Sequence, residues 1–398
     1  MAARPPKAST EGTAERTARG RMLAAYRGLR LDRMPVAPEF WCYVPARLLG
    51  VNMIEFQRNV PFWQALQQTF RHYRCEGWGI VAPRRPPAPF SSEHVELPRP
   101  EGRIETCDVL HTPAGDLVWR SLLDPLEPAW TLERPIKDFF RHWPVYEQAA
   151  LPDPAQYDWT PVQKALDGVG GDYLLEVHAG DPFTDFVGGA RQGGFQQMVL
   201  DLVEHEDYLL GLRERYVAHG CALVEAALTH TSAESVFVGC AWSCASLLGA
   251  RLWRKWDRPV IEAFTAAAHR SGGLIHVHLH GRCAELIRDL VEMGVDSLCP
   301  LERPPGGDVS PENMAAIKDI TRGRTTLNGN VHTVETLIRG TPRNVEREVR
   351  EIVDLWGDDG RLIVGTGDQV GRETPDENIW AMIETAKSYG RSDRNAPL

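Results

Sequence analysis

The chain has 398 residues, of which 43% are hydrophobic and 25% charged, with a formal net charge of -10. This balance suits a globular protein with one large α/β domain or two ordinary ones. The spread acidity excludes the basic footprint that nucleic acid requires, and no apolar run reaches the length of a membrane-spanning helix. Eight cysteines without a CxxC pair or disulfide-scaffold density point to a reduced, cytoplasmic setting.

In chain order, residues 1–16 read as a frayed tail, and RTARGRMLAAYR (16–27) as an amphipathic helix closed by Gly28. A turn then leads into a short strand, Val36 to Phe40, with Glu39, Trp41 and Tyr43 at or just past its end, a candidate substrate-facing group. PFWQALQQTFRHYR (61–74) predicts a helix with proline at its first turn, and CEGWGIVAP a strand. From 84 to 133 the character changes. RIETCDVLHTP and LVWRSLL alternate across a Pro-Ala-Gly-Asp turn, which predicts an inserted β-hairpin region, a wall or lid beside the site or an interface arm.

Helices follow at 135–149 and in PAQYDWTPVQKALDGVGG, then a strand, DYLLEVHAG, ending before Asp181. Two helices or one long bent one precede the strand SVFVGC, and a helical region broken at Pro259 leads to GGLIHVHLHGRC. Strands near 36, 80, 174, 236, 275, 297, 326 and 363, each trailed by helical sequence except at the insertion, fit a (β/α)8 TIM barrel. A doubly wound open sheet is the alternative, but its GxGxxG signature is absent.

His276, His278 and His280 recur at period two, so one face of a strand carries all three imidazoles while Ile275, Val277 and Leu279 face apolar packing. A helix of about ten residues ended by Gly294, then a strand from Val295 to Leu298, would deliver Cys299 and Glu302 to the same end. His278 and His280 are spaced to share a divalent ion such as zinc, with a third ligand from Glu302, Cys299, Asp368 or Cys240. His276 lies deeper, suited to orienting a ligand. Cys283 is expected in a first helical turn, where the helix dipole favours its thiolate. Glu302 is either a catalytic carboxylate in a rigid loop or the partner of Arg303, and Asp308 reads as a turn and cap before NMAAIKDI. Asn330 and His332 fit a hydrogen-bonding wall; Asp368 fits a ligand, base or loop cap; Asp181 fits a substrate contact.

The motifs R-x-L-x-A-x-x-G-x-x-x-D-R-x-P-V from Arg21 to Val36, HVHLHG, GVDSL, LNGNV, G-T-P-R-N-V at 340–345 and T-P-D-E-N-I at 374–379 together make the chain resemble the uroporphyrinogen decarboxylase superfamily, with its zinc-dependent methyltransferases that move methyl groups between corrinoid proteins and thiols. The resemblance implies one barrel domain over 17–398, with the site at the carboxyl ends of the strands. It also implies zinc, a corrinoid on a partner protein and a small methylated substrate; the oligomeric state stays open. Where those methyltransferases carry H-x-C-G, this chain has His278-Leu279-His280-Gly281, and where they carry G-C-G it has Gly365-Thr366-Gly367. The implied metal shell is therefore His278, His280 and a carboxylate, Glu302 or Asp368. The decarboxylase's arginine-rich segment is replaced by Pro35-Val36-Ala37-Pro38-Glu39-Phe40-Trp41, which would repel an octacarboxylate. Metal-dependent methyl transfer or demethylation is the leading expectation. Metal-free decarboxylation or lyase chemistry and a non-catalytic corrinoid- or small-molecule-binding protein are the alternatives.

Overall fold

The computed structural model describes residues 16–390, so the expected tail lies, apart from Arg16, outside the described residues. Twelve strands are present among them: β1 (Val36–Ala37), β2 (Trp78–Val81), β3 (Ser92–Pro98), β4 (Ile104–Thr112), β5 (Gly115–Leu123), β6 (Trp130–Glu133), β7 (Leu174–Gly180), β8 (Ser235–Cys240), β9 (Leu274–Leu279), β10 (Ser297–Pro300), β11 (Thr326–Val331) and β12 (Leu362–Thr366). Eight of them form one parallel sheet in the order β1-β12-β11-β10-β9-β8-β7-β2. Every expected barrel strand is among these eight, although β1 stops at Ala37 rather than Phe40.

The sheet is curled. Trp78 on β2 meets His276 on β9 edge to face, with ring centroids 5.1 Å apart, and stacks on Phe237 of β8 at 5.4 Å. β2 and β9 are three intervals apart in the sheet, about 14 Å if it were flat, so only curvature lets those rings touch. The result is the inward-facing architecture of a TIM-like barrel, with helices outside and strand carboxyl ends at one mouth. Outward-facing Ile275, Val277 and Leu279 are buried in the apolar layer between sheet and helices. The helix Pro342–Trp356 shows how that layer is covered: Val345, Val349, Ile352 and Trp356 recur at three- and four-residue spacing and are all buried. Thr341 and Asn344 form its reciprocal N-terminal cap.

At the β1/β2 edges a carboxylate stands where a backbone ladder would. Glu76, 1% exposed, accepts from the Val36 N–H at 3.0 Å and from the guanidinium groups of Arg21 and Arg33. Arg21 belongs to α1 (Ala18–Tyr26), and this helix departs from the amphipathic pattern expected of it: Arg21 through Tyr26 are all buried. The reason is its position at the amino end of the sheet. Thr326 Oγ1 donates to the Ala25 carbonyl at 2.7 Å, Arg361 donates to the Tyr26 carbonyl at 2.8 Å, and the Tyr26 ring packs on His276. A helix enclosed on all sides buries every face, and Arg21 is tolerated there because Asp32 and Glu76 neutralise it.

Between β2 and the helix Phe139–Ala150, the chain builds a separate antiparallel sheet in the order β3-β4-β5-β6. It is larger than the single hairpin its sequence suggests. β4 and β5 pair with Thr112 opposite Gly115, whose φ of +99° suits glycine, and β3 and β6 flank them. The loop after β5 is tied back to the strand-end region: Tyr43 donates to Glu127 at 2.6 Å, as does Arg372, which also donates to the Leu126 carbonyl.

Two local expectations are corrected. The helix after β9 covers only Ile287–Glu292, because the N–H groups of Cys283 and Ala284 turn to the Asp308 carboxylate instead of opening a helix. Asp308 thus caps this turn, and Ser310 with Asn313 caps the helix Pro311–Thr321. The break expected at Pro259 falls at Asp257, between helices Gly249–Trp256 and Arg258–Arg270, with the proline in the second helix's first turn.

Candidate functional site

The carboxyl ends of β1, β2, β7, β8, β9 and β12 surround a cavity of about 370 Å³. Trp41, Trp78, Ile80 and Phe237 give it apolar walls, and Glu39, His178, Asp181, His278, His280 and Asp368 supply its polar groups. No arginine or lysine is among its lining residues.

β9 positions the imidazoles as its two-residue period requires. His276 is fully buried, His278 is 7% exposed, and His280 emerges just past the strand end. His280 Nδ1 lies 2.9 Å from Glu302 Oε1, which also accepts from the Gly281 N–H, so the loop after β10 is clamped to the turn after β9. His280, Glu302 and Asp368 each offer a ligand atom within 4.8 Å of the others, a grouping with the N/O character of a divalent-metal site. His278 adjoins this trio rather than completing it: its Nε2 lies 2.7 Å from His280 Nε2 and its Nδ1 lies 2.9 Å from Cys299 Sγ.

These groups set one another's charge. Burial by itself would depress His280, but the hydrogen bond to Glu302 and the fields of Asp368 and Glu39 outweigh it and bring its pKa to about 9. His278 moves the opposite way, well below the ordinary imidazole value, through burial and repulsion from His280 and His276. Burial, reinforced by Asp368, pushes Glu39 up to about 8. Asp368 is raised by burial, with His280 opposing.

The remaining sequence-derived candidates divide by location. Glu39, Trp41, Asp181 and Asp368 line the cavity, and Asp181 accepts from His178 Nε2 at 3.0 Å. Tyr43 is not among the lining residues, because its hydroxyl is committed to Glu127. Asn330 is fully buried and donates to the Leu301 carbonyl, and His332 bonds the Pro304 carbonyl and caps the turn at Val334 and Glu335. Both brace the loop after β10 from outside the cavity. Arg303 pairs with Glu348 and Glu351 rather than Glu302, leaving Glu302 for His280. Cys283 is not an activated thiolate: burial raises its pKa far above the ordinary thiol value, with Asp308 adding to the effect. Thr366, at the centre of Gly365-Thr366-Gly367, accepts the Glu39 N–H at 3.1 Å.

Sequence reasoning passed over Trp78, His178, Phe237 and Glu176. Glu176 and His178 had a readable signal, since LLEVHAG on β7 carries the same polar alternation as β9, but a mostly apolar strand masks it.

The uroporphyrinogen decarboxylase (URO-D) family model matches residues 167–389, which include β7 through β12. The chain belongs to the URO-D family. Among solved structures, a methyltransferase from Methanosarcina mazei aligns over 94% of this chain and 99% of its own, with a TM-score of 0.63 and 18% identity, a likeness of fold. An intracellular xylanase from Thermoanaerobacterium saccharolyticum (10% identity, 55% of this chain and 73% of that one, TM-score 0.33) and a D-allulose 3-epimerase from Methylomonas sp. (12%, 62% and 85%, 0.32) align far more loosely. No curated protein matches the sequence. This URO-D family member has, among the described residues, no helix long and apolar enough to cross a membrane.

Proposed function

We propose that this chain is a metal-dependent methyltransferase or demethylase on a (β/α)8 barrel, acting on a small methylated compound with a thiol or corrinoid-protein partner. The observation that carries the reading is the grouping of His280, Glu302 and Asp368 at the cavity, inside a family whose fold is shared with a methyltransferase. One imidazole and two carboxylates fit zinc or a similar divalent ion, and these three residues would hold it, with His278 Nε2 adjoining. When bound, such an ion supplies Lewis-acid polarisation of a heteroatom that accepts or releases the methyl group.

The chain's own residues do the rest. Trp41, Trp78 and Phe237 exclude water and favour a flat or apolar body, including an aromatic one. Glu39, at about 8, can hold or take up a proton near neutral pH, and the His178–Asp181 pair offers a second polar anchor across the cavity. The absence of arginine and lysine from the lining argues against a polycarboxylated porphyrinogen, whose many carboxylates would lack the cations needed to neutralise them.

The test is metal analysis of protein purified without chelator, followed by zinc titration of wild type, His278→Ala and His280→Ala. Near-stoichiometric binding lost in His280→Ala supports the reading. No bound divalent ion in wild type, and identical titrations in all three, would remove the metal role. It would then leave metal-free decarboxylation through Asp181 or Asp368, or simple binding of a corrinoid or small molecule, to be tested by turnover of carboxylated aromatics and by corrinoid absorbance titration.

A further inference from the structure

Behind the cavity runs a row of buried hydrogen bonds that the proposed chemistry has not used. At its closed end Ser235 Oγ donates to Glu176 Oε1 at 2.6 Å. Glu176 Oε2 lies 2.8 Å from His276 Nδ1, His276 Nε2 lies 2.9 Å from Cys299 Sγ, and the same sulfur lies 2.9 Å from His278 Nδ1. The row ends where His278 Nε2 meets His280 Nε2. Strands β7, β8, β9 and β10 each contribute to it, and Ser235, Glu176 and His276 have no exposed surface.

The chemistry of each group orients the row. A carboxylate only accepts, so beside Glu176 the His276 Nδ1 carries the proton. With the proton on Nδ1 held by Glu176, His276 presents Nε2 to Cys299 as an acceptor. Cys299 is held as a thiol by burial, with Glu39 and Glu176 adding to the effect, so its S–H is available to His276 Nε2 and its sulfur can accept from His278 Nδ1–H. The only lone pair left on His278 is then on Nε2, at the cavity end.

We propose that Glu176 is a positioning residue: through His276 and Cys299 it fixes His278 in the Nδ1–H tautomer, so that the Nε2 lone pair faces the donor grouping of His280, Glu302 and Asp368. Significance for catalysis rests on the metal-site reading above, whereas the tautomer does not.

The test uses the full chain labelled with ¹⁵N-histidine, with imidazole ¹H–¹⁵N correlations recorded before and after adding zinc, and His278 assigned by its loss in His278→Gln. Wild type is expected to show His278 as Nδ1–H. Cys299→Ser, which keeps a donor and an acceptor, preserves that state, whereas Cys299→Ala shifts His278 toward Nε2–H and weakens zinc binding by about tenfold or more. Glu176→Gln provides a second break in the row and is expected to mix the tautomers. An Nε2–H tautomer in wild type, or a tautomer unmoved in both Cys299→Ala and Glu176→Gln, overturns the proposal. Tautomer shifts as expected with no zinc binding in any variant would uphold the positioning role and remove the metal reading alone.

Discussion

His280 places one ring nitrogen 2.9 Å from Glu302 and the other 2.7 Å from His278, so a single imidazole joins the loop after β10 to the buried histidine row. The trio of groups close enough to share an ion is therefore centred on His280 rather than His278.

That asymmetry predicts the ranking of metal-site variants. Asp368→Asn and Glu302→Gln should each weaken zinc binding on the order of tenfold or more, because each removes an anionic donor from the grouping. Asn330→Ala should leave zinc affinity unchanged while lowering thermal stability, since its amide braces the Leu301 carbonyl outside the cavity. Isothermal titration alongside thermal melting separates the two effects; equal zinc affinities for Asp368→Asn and wild type would contradict the ranking.

Glu76 closes the seam between β1 and β2. Glu76→Ala leaves the Val36 N–H and the buried Arg21 without their shared acceptor, and should destabilise the fold by about 3–5 kcal/mol. Arg21→Met combined with Glu76→Leu should recover part of that loss, because the two fully buried charges go together and the partners left behind, Asp32 and Arg33, are partly exposed. Urea unfolding measures both, and a Glu76→Ala loss under about 1 kcal/mol would show that the seam does not depend on the carboxylate.

A buried acid pair predicts a pH dependence. Asp185 is raised to about 8, chiefly by burial and then by Asp257, against hydrogen bonds from the Trp242 and Ser243 N–H groups; Asp257 is raised to about 6 by burial, against hydrogen bonds from Thr184 and Ser243. A carboxyl raised on folding keeps its proton in the native state where the unfolded chain has released it, so stability falls as pH rises from about 4 toward 8 for Asp185, and toward 6 for Asp257. The slope approaches about 1.4 kcal/mol per pH unit for each proton withheld. Unfolding free energies measured from pH 5 to 9 should show this decline, flatter in Asp185→Asn; an unchanged slope would assign it elsewhere.

The four-stranded antiparallel sheet is fastened at Glu127. Glu127→Gln weakens the contacts with Tyr43 and Arg372, so amide exchange should quicken around 124–133. The global cost should stay below about 1 kcal/mol, as suits a half-exposed ion pair. Hydrogen-exchange mass spectrometry resolves this, and uniform acceleration across β7 to β12 would show that the antiparallel sheet supports the whole fold.

The amino-acid order by itself determined the succession of the eight barrel strands and which side chains share a strand face, because both depend on short-range periodicity. The alternation of His276, His278 and His280 against Ile275, Val277 and Leu279 is of this kind, as is the placement of Glu302 and Asp368 just beyond strand ends. Only the tertiary structure decided which polar groups meet. Glu176 and His276 are 100 residues apart in the chain, and Cys299 lies between two histidines of a neighbouring strand, contacts set by sheet register and curl. The same long-range packing turned Tyr43, Asn330 and His332 to structural partners and enclosed α1 on every side. A local pattern can tell which way a side chain points but not what stands opposite it, because that depends on how distant strands come together.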